Sequence, residues 1–435
     1  MNVETWAVRP KKAEMIVEYG RRYCVESGKM AVSYVEDAVV LPVRRCDNSE
    51  FDFGLGGVVD SHGRYVPESE SRELVGGGYE PAQLPDAELK TVVYCGYFQF
   101  HWGHFLMQSC NRLWYALDAA RDVDEYIFAV DEGSAPPDIA GTNYEEFFRL
   151  LGIAGKVRFV SSPQPYSRII IPQESFAITR FIRRGFADLF NGIRERAASG
   201  GEARRPGGRI LLGRSSFAKA ARMEMGLREI EEHFGRNGYE VVYPERMSLA
   251  SLIQLMSSAP EIVTFSGSLA HNLVFAPPGA RITVIERYPY VNYFQTAVEL
   301  AFGFRITYVD ANAFICPVSP GLGPFIYCTN RYFDEYCRRR GLPLMPAPTE
   351  TECRKMVRRF MRLHTREYDR DWKMPSYFEE HIPDMNDALA DSEPQFGMER
   401  HCPAWFRLSL RLSPYILART VYRGARSFLR RISSR

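Results

Sequence analysis

Residues 261–286 read EIVTFSGSLAHNLVFAPPGARITVIE, and the two apolar runs within them decide the fold. The first, 262–265, ends in Ser266, Gly267 and Ser268, small residues that turn a chain and can open a helix. Pro277, Pro278 and Gly279 break that helix ahead of the second run, 281–285. Such a strand-turn-helix-turn-strand unit places its ligand site at the carboxyl ends of the strands, where backbone N–H groups and a helix N-terminus favour an anionic oxygen. Ser266, Gly267 and Ser268 are therefore candidate phosphate contacts, although Ser266 equally suits an ordinary helix N-cap.

Outward from this unit the pattern repeats. Strands are expected over 209–212, 239–243 and 305–309, with helices over 224–234, 248–258 (capped by Ser248) and 293–301. Strands separated by helices of about ten residues imply a parallel sheet. An earlier series has strands over 91–95, 126–130, 157–160 and 168–171, and helices over 105–120, 144–151 and 178–197. Between the two series, 199–208 is rich in Gly, Pro and Arg and marks the domain boundary. The first 90 residues read as β-rich and irregular, with a turn signal at Asp60 to Gly63 and a flexible loop at Gly76 to Gly78 that lacks a nucleotide-loop context. The expected fold class is α/β, with two doubly wound, Rossmann-like domains facing a central cleft.

The chain of 435 residues suits two or three units, and 46% hydrophobic and 13% aromatic residues are enough to bury real cores. Nine scattered cysteines, without a C-x-x-C pair or a Cys/His cluster at zinc spacing, point to neither a disulfide framework nor a structural metal and fit a reducing cytosol. No apolar segment near Met1 and no run of about 18 apolar residues suggests a signal peptide or a spanning helix. The net charge of +2 conceals an asymmetry: residues 401–435 hold eight arginines and no Asp or Glu. There Leu408, Leu412, Tyr415, Ile416, Ala418, Val421, Tyr422, Phe428 and Leu429 recur at helical spacing, divided at Pro414. A basic amphipathic helix of this kind suits an anionic membrane surface, or else docks on the core with a solvated arginine face. No nucleic-acid partner is expected.

Three segments together resemble glycosyltransferase family 61. The first is His101-Trp102-Gly103-His104-Phe105-Leu106 followed by Arg112-Leu113, with His101 where the family usually has Asn. The second is the run ending in Arg214, then Arg222 and Glu224. The third is the opening stretch, where Gly267, Asn272, Phe275, Gly279 and Glu286 fit and Ser266 replaces a usual His. The likeness covers about residues 90–310. It implies a GT-B-like arrangement, with an acceptor-side domain in 1–200, a nucleotide-sugar domain in 201–345 and a C-terminal helical extension in 346–435.

The resemblance also implies an inverting transfer from a nucleotide-sugar, UDP-linked by expectation, to a hydroxyl of a glycan or lipid-linked saccharide in cell-surface polysaccharide synthesis. Such chemistry needs a base for the acceptor and neutralisation of a departing diphosphate. His104 is the candidate base, with His101 as alternative, and Asp60 and Glu174 are unranked carboxylates; His104 also reads as a capping or core histidine. Arg214, Arg222, Ser266, Gly267 and Ser268 are candidates for the diphosphate, His271 and Asn272 for the sugar or phosphate, and Glu286 for ribose hydroxyls. Neither a resident cofactor nor a metal is expected, and the protein is placed in the cytoplasm, peripheral on the inner membrane face through 401–435. The alternatives are a non-catalytic scaffold of a membrane assembly complex and a metal-dependent hydrolase built on His101 and His104.

Overall fold

The computed structural model describes residues 2–370, apart from 47–49, 72–73, 119–121, 200–207, 289, 314–320 and 322. Most of the expected boundary at 199–208 and the whole basic segment 401–435 lie outside the described residues.

The later series of strands forms one six-stranded sheet in the order Asn2–Ala7, Arg305–Asp310, Arg281–Glu286, Glu261–Phe265, Arg209–Leu212, Tyr239–Val242, with every pairing parallel. Ile210, Leu211, Leu212, Ile262, Val263, Ile282, Val284 and Ile285 are all fully buried, as near-continuous apolar strands covered on both faces must be. The first strand is a departure from the β-rich reading of residues 1–90. Val3 pairs with Ile306, so the chain begins on the edge of the second sheet, and the Pro10–Arg21 helix that follows packs on that half.

The first sheet has seven strands in the order Val75–Gly77, Gly54–Val59, Val32–Arg44, Gln164–Pro172, Glu88–Tyr97, Glu125–Ala129, Val157–Val160. Its last four strands are parallel, but Val32–Arg44 runs antiparallel to both neighbours. The architecture is therefore mixed α/β with parallel sheets, and only part of the first sheet has doubly wound character. One apolar cluster joins the two halves. Phe190 lies 5.5 Å from Phe275 and Phe186 6.2 Å from Phe302, ring centroid to centroid. Glu146 of the Asn143–Leu150 helix also caps the Leu249–Ser257 helix from across the boundary, accepting from Leu249 N at 2.6 Å and Ala250 N at 3.0 Å. Much of the region between the sheets is thus packed rather than open.

Helices depart from the sequence reading in three places. The expected helix over 105–120 is a turn of α-helix, Trp102–His104, a π turn, Phe105–Ser109, and a 3-10 segment, Leu113–Leu117. Three- and four-residue apolar spacing does not distinguish these, and π turns are frequent at functional sites. The segment after Ser268 is likewise a 3-10 helix, Ala270–Phe275. The expected helix over 224–234 is Leu227–Arg236, preceded by a short Ala218–Met223 helix and a two-residue strand, Glu224–Met225. Ser248 does cap its helix, accepting from Ser251 N at 3.2 Å. Among the described residues no helix is long and apolar enough to cross a membrane.

Candidate active site

The Arg209–Leu212 strand delivers Gly213, Arg214 and Ser215 into a loop held by one carboxylate. Glu231 Oε1 accepts from Arg214 N at 2.7 Å and Ser215 N at 2.9 Å, while its Oε2 accepts from Tyr243 OH at 3.0 Å and from Ser215 Oγ. This loop directs the Arg214 guanidinium onto Glu224, 2.7 Å away. A second guanidinium, that of Arg287, reaches the same Glu224 oxygen at 3.2 Å. Tyr327 OH donates to the other oxygen at 3.0 Å. Arg287 lies over the ring of Phe325, 4.5 Å from its centroid, and is only 6% exposed in its side chain.

The turn at Ser266 supports this pair in a different way from the one its composition suggests. Ser266 is fully buried, its N–H donates to Ile285 O at 2.9 Å, and its Oγ accepts from Arg287 N at 3.3 Å. It therefore holds the turn against the next strand instead of offering its amide to a ligand. Gly267 has φ +106°, and a Cβ there would fall 2.4 Å from Arg287 Nη2, so glycine is required both for the backbone and for the close guanidinium. Beside Glu224 a cavity of about 440 Å³ is lined by Ser215, Met225, Gly226, Arg228, Lys355 and Met356, among others.

Across from this turn, the Glu88–Tyr97 strand leads to His101 and His104. Their rings are 4.9 Å apart, His101 exposed and His104 half-buried with its ring against the edge of Phe294. His104 Nδ1 is 2.6 Å from Gln108 Oε1, which also accepts from Gln99 Nε2 at 3.1 Å. Partial burial, then His104 and the Lys219 ammonium, hold the His101 imidazole below its usual pKa. Lys219 belongs to the Ala218–Met223 helix, so a cation from the second half acts on a histidine of the first.

The two turns touch. Trp102 Nε1 donates to Asn272 Oδ1 at 3.0 Å, and His271 Nδ1 lies 3.3 Å from Gly103 O. Asn292 Nδ2 lies 3.3 Å from His271 Nε2, which puts the ring proton on Nδ1, facing the Gly103 carbonyl. Burial, reinforced by His104, depresses the His271 pKa to about 3, so this imidazole is neutral at any working pH. A Cβ on Gly103 would meet His271 Nδ1 at 2.7 Å and Ser268 Oγ at 2.9 Å, so glycine lets the turns close on each other. His271 and Asn272, expected to face sugar or phosphate, are thus engaged in clasping the histidine turn.

Other expected residues stand elsewhere. Glu286 is buried against Lys12, Oε2 to Nζ 2.8 Å, and burial raises its pKa despite that ammonium, which leaves it no ribose-facing role. Arg222 is exposed on the Ala218–Met223 helix and is not among the groups around Glu224; its carbonyl accepts from Arg359 Nη2 at 3.0 Å. Asp60 is engaged locally with Arg64, whose guanidinium and backbone N–H hold its pKa down to about 2. Arg287 and Gln108 escaped the sequence reading, though each had a signal: Arg287 follows the strand-terminal Glu286, and Gln108 stands four residues after His104.

Among the described residues no three His, Cys, Asp or Glu side chains are grouped to hold a metal ion. Two Asp-x-Asp triplets bear on the expected metal independence, Asp122-Val123-Asp124 and Asp369-Arg370-Asp371. Asp124 accepts from Thr91 N at 2.8 Å near the amino end of the Glu88–Tyr97 strand, the end opposite His101. The second triplet runs beyond the described residues.

Residues 102–283 match the family model Glycosyltransferase 61. The matched span contains His104, Arg214, Glu224 and the 266–272 turn, and it stops before Arg287. No curated protein matches the chain.

Proposed function

We propose that this chain, whose residues 102–283 match the family model Glycosyltransferase 61, transfers a sugar, with inversion, from a UDP-linked donor to a hydroxyl of a glycan or lipid-linked saccharide in surface polysaccharide synthesis. The observation that carries the donor side of this reading is the convergence of Arg214 and Arg287 on Glu224 beside the Gly267 turn. Two guanidiniums brought together, partly buried, present positive charge that attracts an anion more strongly than it would in water. The diphosphate takes that charge through bidentate contacts with the arginines, with Gly267 and Ser268 alongside, and the nucleoside occupies the cavity next to Ser215 and Glu224.

On the acceptor side, His104 takes the hydroxyl proton as the oxygen attacks the anomeric carbon. The bond from that carbon to the diphosphate breaks on the opposite face, and the electron pair leaves with UDP, whose new charge the arginines stabilise. The clasp through Trp102, His271 and Asn272 sets the distance between base and donor holder. Arginine, rather than a divalent cation, neutralises the leaving group in this reading. Residues 401–435 hold the enzyme on the inner membrane face, near a lipid-linked acceptor.

A thermal-shift screen of nucleotides tests the reading. UDP is expected to raise the melting temperature, and Arg214→Ala to abolish the shift. No shift with UDP or any other nucleotide would overturn it.

A further inference from the structure

A histidine acts as a base only through the nitrogen that lacks a proton, and in neutral imidazole the proton sits on one nitrogen or the other. What lies against the first nitrogen decides which lone pair faces the reaction. In many enzymes a carboxylate does this, but among the described residues none is paired with His101 or His104. The groups around His104 are the neighbouring His101, the edge of Phe294, the buried neutral His271 and, acting on His101, the Lys219 ammonium. Every titratable group of that set is neutral or cationic.

The remaining contact is an amide oxygen. Gln108 Oε1 stands 2.6 Å from His104 Nδ1, and an amide oxygen can only accept, so the hydrogen lies on Nδ1. The amide is itself held in that orientation: Gln99 Nε2 donates to the same oxygen at 3.1 Å, and Gln99 N donates to Ser109 Oγ at 2.9 Å. The π turn Phe105–Ser109 carries Gln108 to the His104 ring, which gives that irregular turn a purpose the apolar pattern does not reveal.

We propose that Gln108, anchored by Gln99, is a positioning residue that keeps the His104 proton on Nδ1 and presents the Nε2 lone pair to the acceptor hydroxyl. The proposal rests on the reading of His104 as the base. An uncharged orienting group differs from a carboxylate in consequence as well as in form. A carboxylate favours the imidazolium and raises the pKa of the base, whereas an amide fixes the tautomer and leaves the ring neutral at lower pH.

The test uses the full-length protein with ¹⁵N-labelled imidazoles, the His104 signals being assigned by their loss in His104→Ala. In the unsubstituted protein the neutral ring is expected to show a protonated Nδ1. Gln108→Met should shift it toward protonated Nε2 and lower kcat about tenfold with the donor KM unchanged. Gln108→Glu should restore kcat on the pH plateau while moving the acidic limb of kcat/KM upward by about one pH unit. A protonated Nε2 in the unsubstituted protein, or unaltered kcat and pH profile in Gln108→Met, overturns the proposal. Full activity in His104→Ala would instead remove the base itself, a failure of the underlying reading that the tautomer measurement keeps distinct.

Discussion

Glu224 and Glu286 are both buried carboxylates near the carboxyl end of the parallel sheet, their side chains 3% and 1% exposed. Their company differs. Glu286 shares Lys12 with Asp310, and Asp310 also pairs with Arg9 at 3.2 Å, so two acids meet two bases and the charges close. Asn312 fills in between, accepting from Arg9 Nη1 at 3.2 Å and donating to Glu286 O at 3.0 Å. Glu224 faces two arginines and a tyrosine and stands at the edge of a cavity. A buried network closed on itself fastens a chain segment to its sheet; one that borders a cavity is suited to bind.

That contrast can be broken at either end. The largest effect is expected from Lys12→Met, which leaves Glu286 and Asp310 buried without the ammonium between them. A loss of about 3–5 kcal/mol in urea unfolding is expected, and Glu286→Gln added to it should recover part of that loss. An unaltered unfolding midpoint would show that the network is not closed. Next comes Arg287→Ala, which should reduce kcat/KM about 100-fold, in the range seen when one donor to a developing anion is removed. Because Arg214 and Tyr327 still satisfy Glu224, the melting temperature should move little. A large fall in stability with unchanged activity would make Arg287 a counterpart of Lys12.

At neutral pH the smallest effect is expected from a third buried ionisable group, one kept uncharged. His271 has a folded pKa of about 3 against about 6.5 unfolded, so the unfolded chain binds the extra proton between those values. Its contribution to stability is complete above pH 6.5 and is lost as the pH falls toward 3, by about 1.4 kcal/mol per pH unit through the middle of that range. His271→Gln, which retains a donor for Gly103 O, should flatten the acid limb of an unfolding-versus-pH curve. An acid limb as steep as before would mean that the clasp does not depend on a neutral ring.

Much of the second sheet was legible because its strands are apolar on both faces, as in Arg281–Glu286 and Glu261–Phe265. The Asn2–Ala7 strand was not, since NVETWA has no unbroken apolar run and its partner lies some 300 residues away at Arg305–Asp310. The meeting of residues 101–104 with 266–272 could be expected from the family likeness, but not which side chains it would consume. His271 and Asn272 are ordinary polar residues at helical spacing until the Gly103 backbone and the Trp102 indole are placed against them. Strand alternation explains the remaining exchange of roles. Glu286 and Arg287 are adjacent and point to opposite faces, one toward the Pro10–Arg21 helix and one toward Glu224, so an error of one residue changes a ribose contact into a structural ion pair.

The edge strand Asn2–Ala7 also limits how this molecule can be divided. A fragment cloned from residue 201 onward would contain the loop of Arg214, the Gly267 turn and Arg287, yet it would leave the Arg305–Asp310 edge without its neighbour. It would also bury two acidic groups around a vacancy where Lys12 belongs. Studies on an isolated second half therefore require the first twenty-odd residues to be grafted back, since the Asn2–Ala7 strand and Lys12 belong to the six-stranded sheet and its buried acids.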